Sequence, residues 1–519
     1  MNGGRALLGT LSELGVDACF ANPGTSEMHA VAALDEVPEL RAVLTLFEGV
    51  ATGAADGYAR IAGRPASTLL HLGPGLSNGL ANLHNARRAR SPIVNVVGDH
   101  ATYHHRYDTP LESDIASLAR PVSGWYRSAA SAEDLADDVV DAVAAAHGPP
   151  GRVATLVVPA DVAWGEAAPR RSALELRPRH VVAATGIEEA ARLLSEHRPA
   201  ALLLGGSAVR AAPLRAASSI AVSCGATLLL ETFPARLEHG AGLPAPSRLS
   251  YLPELAQAQL EGLAAIVLVE AAVPASFFAY PGQPGRLLPP GCRVATLAEA
   301  GDDAALALLE LAERTGASST RPELAPPGRP EAPEGPLSAA SVAQAVGHLL
   351  PDDAIVVDEA NTGGIFAPGA LVGCPPHDWL CLTGGAIGQG MPVATGAAVA
   401  GSGRRVVSLQ ADGSAMYTLQ ALWTQAREAL DVTTIVYANS SYAILHYELQ
   451  KAGADPSAKR ASELLDLDRP ALDWVHLALG MGVPASRVET GPELVAALGK
   501  SLAEPGPALI EARLPTSFG

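Results

Sequence analysis

The stretch Ser408 to Leu445, SLQADGSAMYTLQALWTQAREALDVTTIVYANSSYAIL, limits the possible folds of this chain more than any other. It reads as a strand from Arg405 to Gln410, a tight turn at Ala411-Asp412-Gly413-Ser414, a helix to about Ala429 and a second strand from Val432 to Ala438 that ends on Asn439. A strand, helix and strand in succession return the chain to the same sheet as a parallel neighbour. Asp412 and Asn439 then end adjacent strands and lie side by side. A carboxylate and an amide so placed can share one hard cation, while Gly413 and Ser414 open a helix whose free N–H groups face an anion. The expectation is a cradle for a diphosphate and Mg²⁺.

The same alternation runs through the chain. Apolar strands at Cys19-Phe20-Ala21, Ala42 to Phe47, Ser67 to His71 and Ile93 to Val97 alternate with helices at Gly49 to Ile61 and Ser77 to Ala89. A middle segment repeats the rhythm with strands at Ala200 to Leu204, Ala226 to Leu230, Ala264 to Glu270 and Arg293 to Leu297. Strands at Ala354 to Asp358 and Ala508 to Ala512 bracket the last segment. Such alternation predicts an α/β fold of doubly wound parallel sheets with ligands at the carboxyl ends of the strands. The charged run Glu166 to His180 and the Pro-, Glu- and Ala-rich run Ala317 to Pro336 suggest domains at 1–165, 181–316 and 337–519. The length of 519 residues fits roughly three domains.

Charge narrows the partners. A formal net charge of −18 opposes binding to nucleic acid or an anionic membrane surface. Five cysteines (Cys19, Cys224, Cys292, Cys374, Cys381) show no CxxC spacing, so neither a disulfide framework nor a zinc site is indicated. No window approaches the ~18 apolar residues that span a bilayer. The expected location is the cytoplasm.

Several residues carry chemistry only in combination. Glu48 follows the apolar run VLTLF and opens GVATGAADGYAR, whose small residues suggest close packing on another backbone at a subunit contact. An acidic residue at a helix start is ordinary by itself. His71 ends a strand before Leu72-Gly73-Pro74-Gly75, and lone histidines are more often structural. His100, His104 and His105 cluster near Asp99 and Asp108 without a zinc spacing, which favours acid–base use. Gly384, Gly385, Gly388 and Gly390 form a loose dinucleotide-like turn, a weak signal that equally serves close packing.

Asp412-Gly413 and Asn439 together resemble the thiamine-diphosphate motif GDG … NN, with Ala411 and Ala438 replacing its first glycine and first asparagine. The resemblance implies thiamine diphosphate and Mg²⁺ as cofactors, the metal held by Asp412, Asn439 and the backbone carbonyl of Ser441. Gly413, Ser414 and Tyr442 would line the cofactor. FEGVATGAADGYAR resembles the pyrimidine-binding domain, with Glu48 as the activating glutamate. LTGGAIGQGMPVATG resembles the entry to the diphosphate-binding domain, where Ile387 would wedge the bent cofactor and the Gly385 carbonyl would accept from its aminopyrimidine.

Within the superfamily of 2-oxo acid decarboxylases and acetolactate synthases, the nearest likeness is to benzoylformate decarboxylases. FANPGT places Thr25 on their active-site serine, and LLHLGPGLSNGLANLHNA places His71 on their histidine. Their second histidine falls near Phe277, and His104-His105 instead resembles the paired histidines of pyruvate decarboxylases. The glutamate those enzymes carry beyond the tyrosine matching Tyr442 is here Leu445, so Phe277, Phe278 and Leu445 suggest an apolar substrate pocket. The implied activity is non-oxidative decarboxylation of a 2-oxo acid with carboligation to an aldehyde or ketone. The alternative is an acetolactate-synthase-like ligase joining two 2-oxo acids. No counterpart of a flavin-binding stretch stands in the middle segment, so FAD is not expected. The family further implies that Glu48 and the diphosphate cradle come from different subunits of a homodimer, commonly within a tetramer.

Overall fold

In the computed structural model, described for residues 1–401, 403–453, 455 and 459–516, the chain forms two compact units. One comprises Met1–Leu176, Arg329–Leu371 and Cys381–Gly519, the other Arg177–Gly328 and Val372–Leu380. The first unit holds two parallel sheets. Strands β1 (Ala18–Asn22), β2 (Arg41–Leu44), β3 (Ala66–His71), β4 (Ile93–Asp99), β5 (Trp125–Ser128) and β6 (Val153–Pro159) run in the order β2-β1-β3-β4-β6-β5. The second unit holds β7 (Ala200–Leu204), β8 (Thr227–Leu230), β9 (Ser247–Arg248), β10 (Ala265–Val269) and β11 (Arg293–Ala298), ordered β9-β8-β7-β10-β11 and also parallel. In the first unit's C-terminal part, β12 (Ile355–Glu359), β13 (Val406–Ala411), β14 (Val432–Ala438), β15 (Ala485–Val488) and β16 (Ala508–Arg513) run β15-β16-β14-β13-β12, all parallel. The expected doubly wound α/β architecture is therefore present three times.

The central strands β4, β6, β7, β10 and β14 are buried along their whole length because helices cover both faces. Leu70, Leu76, Leu83 and Ile93 are fully buried in the first sheet's core, each contributing roughly 1.5–3 kcal/mol of burial free energy. Helix α1 (Glu48–Ala62) follows β2, and α2 (Leu72–Ala89) follows β3. The structure starts α2 five residues before the sequence reading did. Leu72 absorbs the corner in a left-handed conformation (φ 52°), so Gly73-Pro74-Gly75 forms the first helical turn instead of a loop.

The C-terminal sheet differs from expectation in one place. The single helix expected from the Ala411-Asp412-Gly413-Ser414 turn to about Ala429 is replaced by the short α4 (Asp412–Ala415) and a separate helical segment, Ala421–Arg427. Between them the Thr418 hydroxyl donates to the carbonyl of Gly388 (2.9 Å), which pulls the chain out of the helical path. Helix α3 (Gly390–Ala400) precedes β13, and α5 (Ala443–Lys451) follows β14.

The small-residue face of α1 packs inside the chain. A Cβ on Gly57 would stand 2.1 Å from the carbonyl oxygen of Val393, and one on Gly396 would stand 1.8 Å from that of Ala54. Backbone-to-backbone contact between α1 and α3 is what those glycines permit, so within the chain this face meets another helix. All five cysteines are free, and among the described residues no helix is long and apolar enough to cross a membrane.

Candidate active site

The carboxyl ends of the strands carry the chemistry. In the first unit, Leu72 after β3, Asn361 after β12 and Ser440 after β14 adopt left-handed φ values of 52°, 50° and 55°. Such conformations are costly and concentrate where a functional geometry is over-determined. Each turns the chain sharply beside a candidate site residue.

Glu48 opens α1 and is 6% exposed. Its two carboxylate oxygens accept from the side-chain amides of Asn22 (3.0 Å) and Asn78 (2.9 Å). A Cβ on Gly75 would lie 3.2 Å from a carboxylate oxygen of Glu48 and 3.5 Å from Cβ of His71. The absent side chain thus lets Glu48 and His71 flank one small space.

His71 is held from behind. Its Nδ1 lies 2.8 Å from Oε2 of Glu27 and 3.2 Å from the hydroxyl of Ser26. Glu27 is 2% exposed and accepts from the Gly24 N–H (2.7 Å) and from the Ser26 hydroxyl (2.5 Å). A carboxylate on Nδ1 fixes the ring and leaves Nε2 as the working nitrogen. Thr25, by contrast, is exposed in the turn, and the neighbouring Ser26 is the hydroxyl that reaches His71. Sequence reading missed both Ser26 and Glu27. The available signal was a glutamate three residues beyond Gly24, the spacing of a capping box.

His104 and His105 lie on the loop after β4, whose Gly98 is paired with His71 of β3. His105 is anchored through Nδ1 to Glu112 (2.9 Å) and lies 3.8 Å from Asp99. The Glu112 bond holds its imidazolium above the usual range, and burial pushes the Asp99 carboxyl up. His104 packs on the rings of His100 and Tyr107. The loop comes back onto the start of α2, since a Cβ on Gly73 would overlap the Ser113 hydroxyl.

The other half sits on the C-terminal sheet. Asp412 is 3% exposed, with one oxygen accepting from the Gly413 N–H (2.8 Å) and the other from the Ser440 N–H (2.7 Å). Burial raises its pKa to about 6. The Asn439 side-chain oxygen accepts from the Ser441 N–H (3.2 Å), and the Tyr442 ring lies against Gly413. Ser414 accepts from Asn361 (2.7 Å), a residue the sequence reading did not single out because it follows a different strand.

The turn Gly384 to Gly390 joins the halves. Asn82 of α2 donates to the carbonyls of Gly49 (2.8 Å) and Gly388 (3.2 Å), and Asn85 donates to that of Ala386 (2.8 Å). Gly385 has φ 77° and open space at its Cβ position, and Ile387 is half-buried. The helix that Glu48 opens is therefore laced to the turn of its own chain. Leu445 is 43% exposed in the first turn of α5. Phe277 and Phe278 belong to the second unit, where both are exposed and Phe277 packs edge-on to Phe233 and beside Tyr251.

Comparison with known proteins now decides the family. Residues 1–118 match the thiamine pyrophosphate enzyme N-terminal TPP binding domain, and residues 371–512 match the corresponding C-terminal domain. The chain is 55% identical, over the full length of both, to the Mycobacterium tuberculosis protein IlvX, provisionally assigned as an acetolactate synthase large subunit. The chain belongs to the thiamine pyrophosphate enzymes. It is 30% identical to the benzoylformate decarboxylase of Pseudomonas aeruginosa over 96% of each chain. Among solved structures, the thiamine diphosphate-dependent 4-hydroxybenzoylformate decarboxylase of Rhodococcus jostii RHA1 superimposes over the whole of both chains with a TM-score of 0.86 at 25% identity. The protein is thus a thiamine-pyrophosphate-dependent enzyme of the decarboxylase and acetolactate synthase family.

Proposed function

We propose that the protein decarboxylates a 2-oxo acid non-oxidatively and joins the resulting acyl unit to an aldehyde or ketone. The observation that carries this reading is the pair Glu48 and His71 on either side of Gly75, with His71 backed by Glu27 and Ser26. One group suits activation of the cofactor, the other proton transfer to and from substrate.

The residues fit thiamine diphosphate with Mg²⁺. Asp412 is a buried carboxylate with acceptor capacity beyond its two N–H bonds. With the Asn439 amide oxygen and the Ser441 carbonyl it would supply hard oxygen ligands of the kind Mg²⁺ takes. Gly413, Ser414 and Tyr442 would border the diphosphate, while the Gly385 carbonyl and Ile387 would receive the aminopyrimidine. When bound, the cofactor supplies an electron sink for the carbon left by CO₂. Glu48, kept in place by Asn22 and Asn78, would hold a proton at the pyrimidine ring nitrogen. His71 would orient the substrate carboxylate and return a proton to the product through Nε2, with His104 or His105 assisting from the adjacent loop. Thr25, exposed at the rim, would meet substrate only as it enters. Leu445 would offer apolar surface to the substrate side chain.

The 55% identity to IlvX favours a second reading, the joining of two 2-oxo acids as in an acetolactate synthase. A panel of 2-oxo acids, with pyruvate and benzoylformate assayed separately for CO₂, free aldehyde and ligated product, separates the two. Aldehyde release supports decarboxylation, and acetolactate without aldehyde overturns it. A homodimer whose subunits share their active sites, commonly paired into a tetramer and acting in the cytoplasm without FAD, completes the proposal.

A further inference from the structure

Helix α3 begins at Gly390, and the N–H groups of a helix's first turn have no partner within it. Here they converge with the preceding N–H groups on one carboxylate from β12. Glu359 accepts from the N–H of Gly388 (2.7 Å) and Gln389 (3.2 Å) through Oε1 and from that of Gly390 (2.6 Å) through Oε2. It is 2% exposed. Burying a carboxylate is expensive, and three N–H bonds at a helix N-terminus offset only part of that cost, so burial still pushes the Glu359 carboxyl up to about 7. The fit is close, because a Cβ on Gly390 would stand 2.2 Å from the Gln410 amide and 2.8 Å from Cβ of Glu359.

The turn is gripped from its other side as well. The Gln389 side chain donates to Asp56 of α1 (2.6 Å), itself paired with the buried Arg60 (2.6 Å). These bonds use up the N–H groups that a phosphate would need at this glycine turn. The dinucleotide-like pattern of Gly384 to Gly390 is therefore filled by the protein's own anion.

We propose that Glu359 is a positioning residue for the cofactor's aminopyrimidine: by clamping the backbone of Gly388, Gln389 and Gly390 it fixes the path of the turn on which Gly385 and Ile387 are presented. This rests on the thiamine diphosphate reading of the site. It assigns Glu359 to the pyrimidine side and not to the diphosphate cradle at Asp412.

Glu359→Gln keeps the shape but replaces an acceptor oxygen with a donor that faces an N–H. Calorimetric titration with thiamine diphosphate plus Mg²⁺, and separately with inorganic pyrophosphate plus Mg²⁺, reads the two sides apart. The expected result is an affinity for thiamine diphosphate weakened by about tenfold or more, the effect of losing one charge-assisted bond, with pyrophosphate affinity kept. Equal affinity of variant and wild type for thiamine diphosphate overturns the proposal, and so does an equal loss for both ligands. Amide hydrogen exchange of the wild-type enzyme over residues 384–393 tests the clamp even where the variant does not fold. Slow exchange at 388–390 before any ligand is added supports it, and exchange at the rate of an open loop overturns it. A wild-type protein that binds neither ligand overturns the reading of the site on which the positioning role rests, while its exchange pattern still reports the clamp itself.

Discussion

His71 illustrates how a single residue acquires function from its neighbours. A histidine at a strand end is unremarkable until a buried carboxylate fixes its ring, which Glu27 does at 2.8 Å. Glu27→Ala is expected to lower kcat on the order of 10- to 100-fold, within the range of positioned acid–base groups, with thiamine diphosphate affinity unchanged. Steady-state kinetics with cofactor titration checks this, and Glu27→Asp should recover part of the loss. An unchanged kcat would remove Glu27 from the site. His71 is singled out in the sequence by the likeness to benzoylformate decarboxylases, because a lone histidine at a strand end reads by itself as structural. Glu27 is not singled out, because its partner lies on a different strand and only the parallel pairing of β1 with β3 brings them together.

Two elements carry predictions of their own. The loop after β4 is tied down by His105, whose bond to Glu112 raises its pKa. A raised histidine pKa means a contribution to stability that is complete below the unfolded value of about 6.5 and lost as pH rises through the folded value. The pair is partly exposed, so the effect should be about 0.5 kcal/mol or less. Urea unfolding at acid and alkaline pH should show wild type losing more stability than Glu112→Gln across that interval, and identical profiles would count against the latch. The α1 and α3 crossing is less forgiving. Gly396→Val places methyl groups where the Ala54 carbonyl stands, and should destabilise the fold by about 3 kcal/mol in chemical denaturation. A loss below ~1 kcal/mol would mean the two backbones are not in contact. The closeness was readable in the run of small residues, but not which element lay opposite.

At the scale of the molecule, the question is which chain completes the site. The family likeness implies that Glu48 and the cradle of Asp412 are exchanged between subunits, whereas here Asn82 bonds Gly49 and Gly388 of one chain. Mixing inactive Glu48→Gln with inactive Asp412→Ala protein by refolding together tests this directly. A mixture that stays inactive shows a site completed within one chain and overturns the shared-site reading. Recovery of up to about a quarter of wild-type activity, as random pairing of two-fold dimers would give, shows that the halves are exchanged. The sequence by itself determined the parallel α/β architecture and the Asp412 … Asn439 pair at adjacent strand ends, because apolar strands with glycine corners and residues that end neighbouring strands are local patterns. Only the tertiary structure decided that Ser26 rather than Thr25 reaches His71, that Glu359 clamps the glycine turn, and that α1 rests on α3. Each of those depends on strand order and helix crossing, which bring together residues far apart in the chain and leave no periodic trace along it.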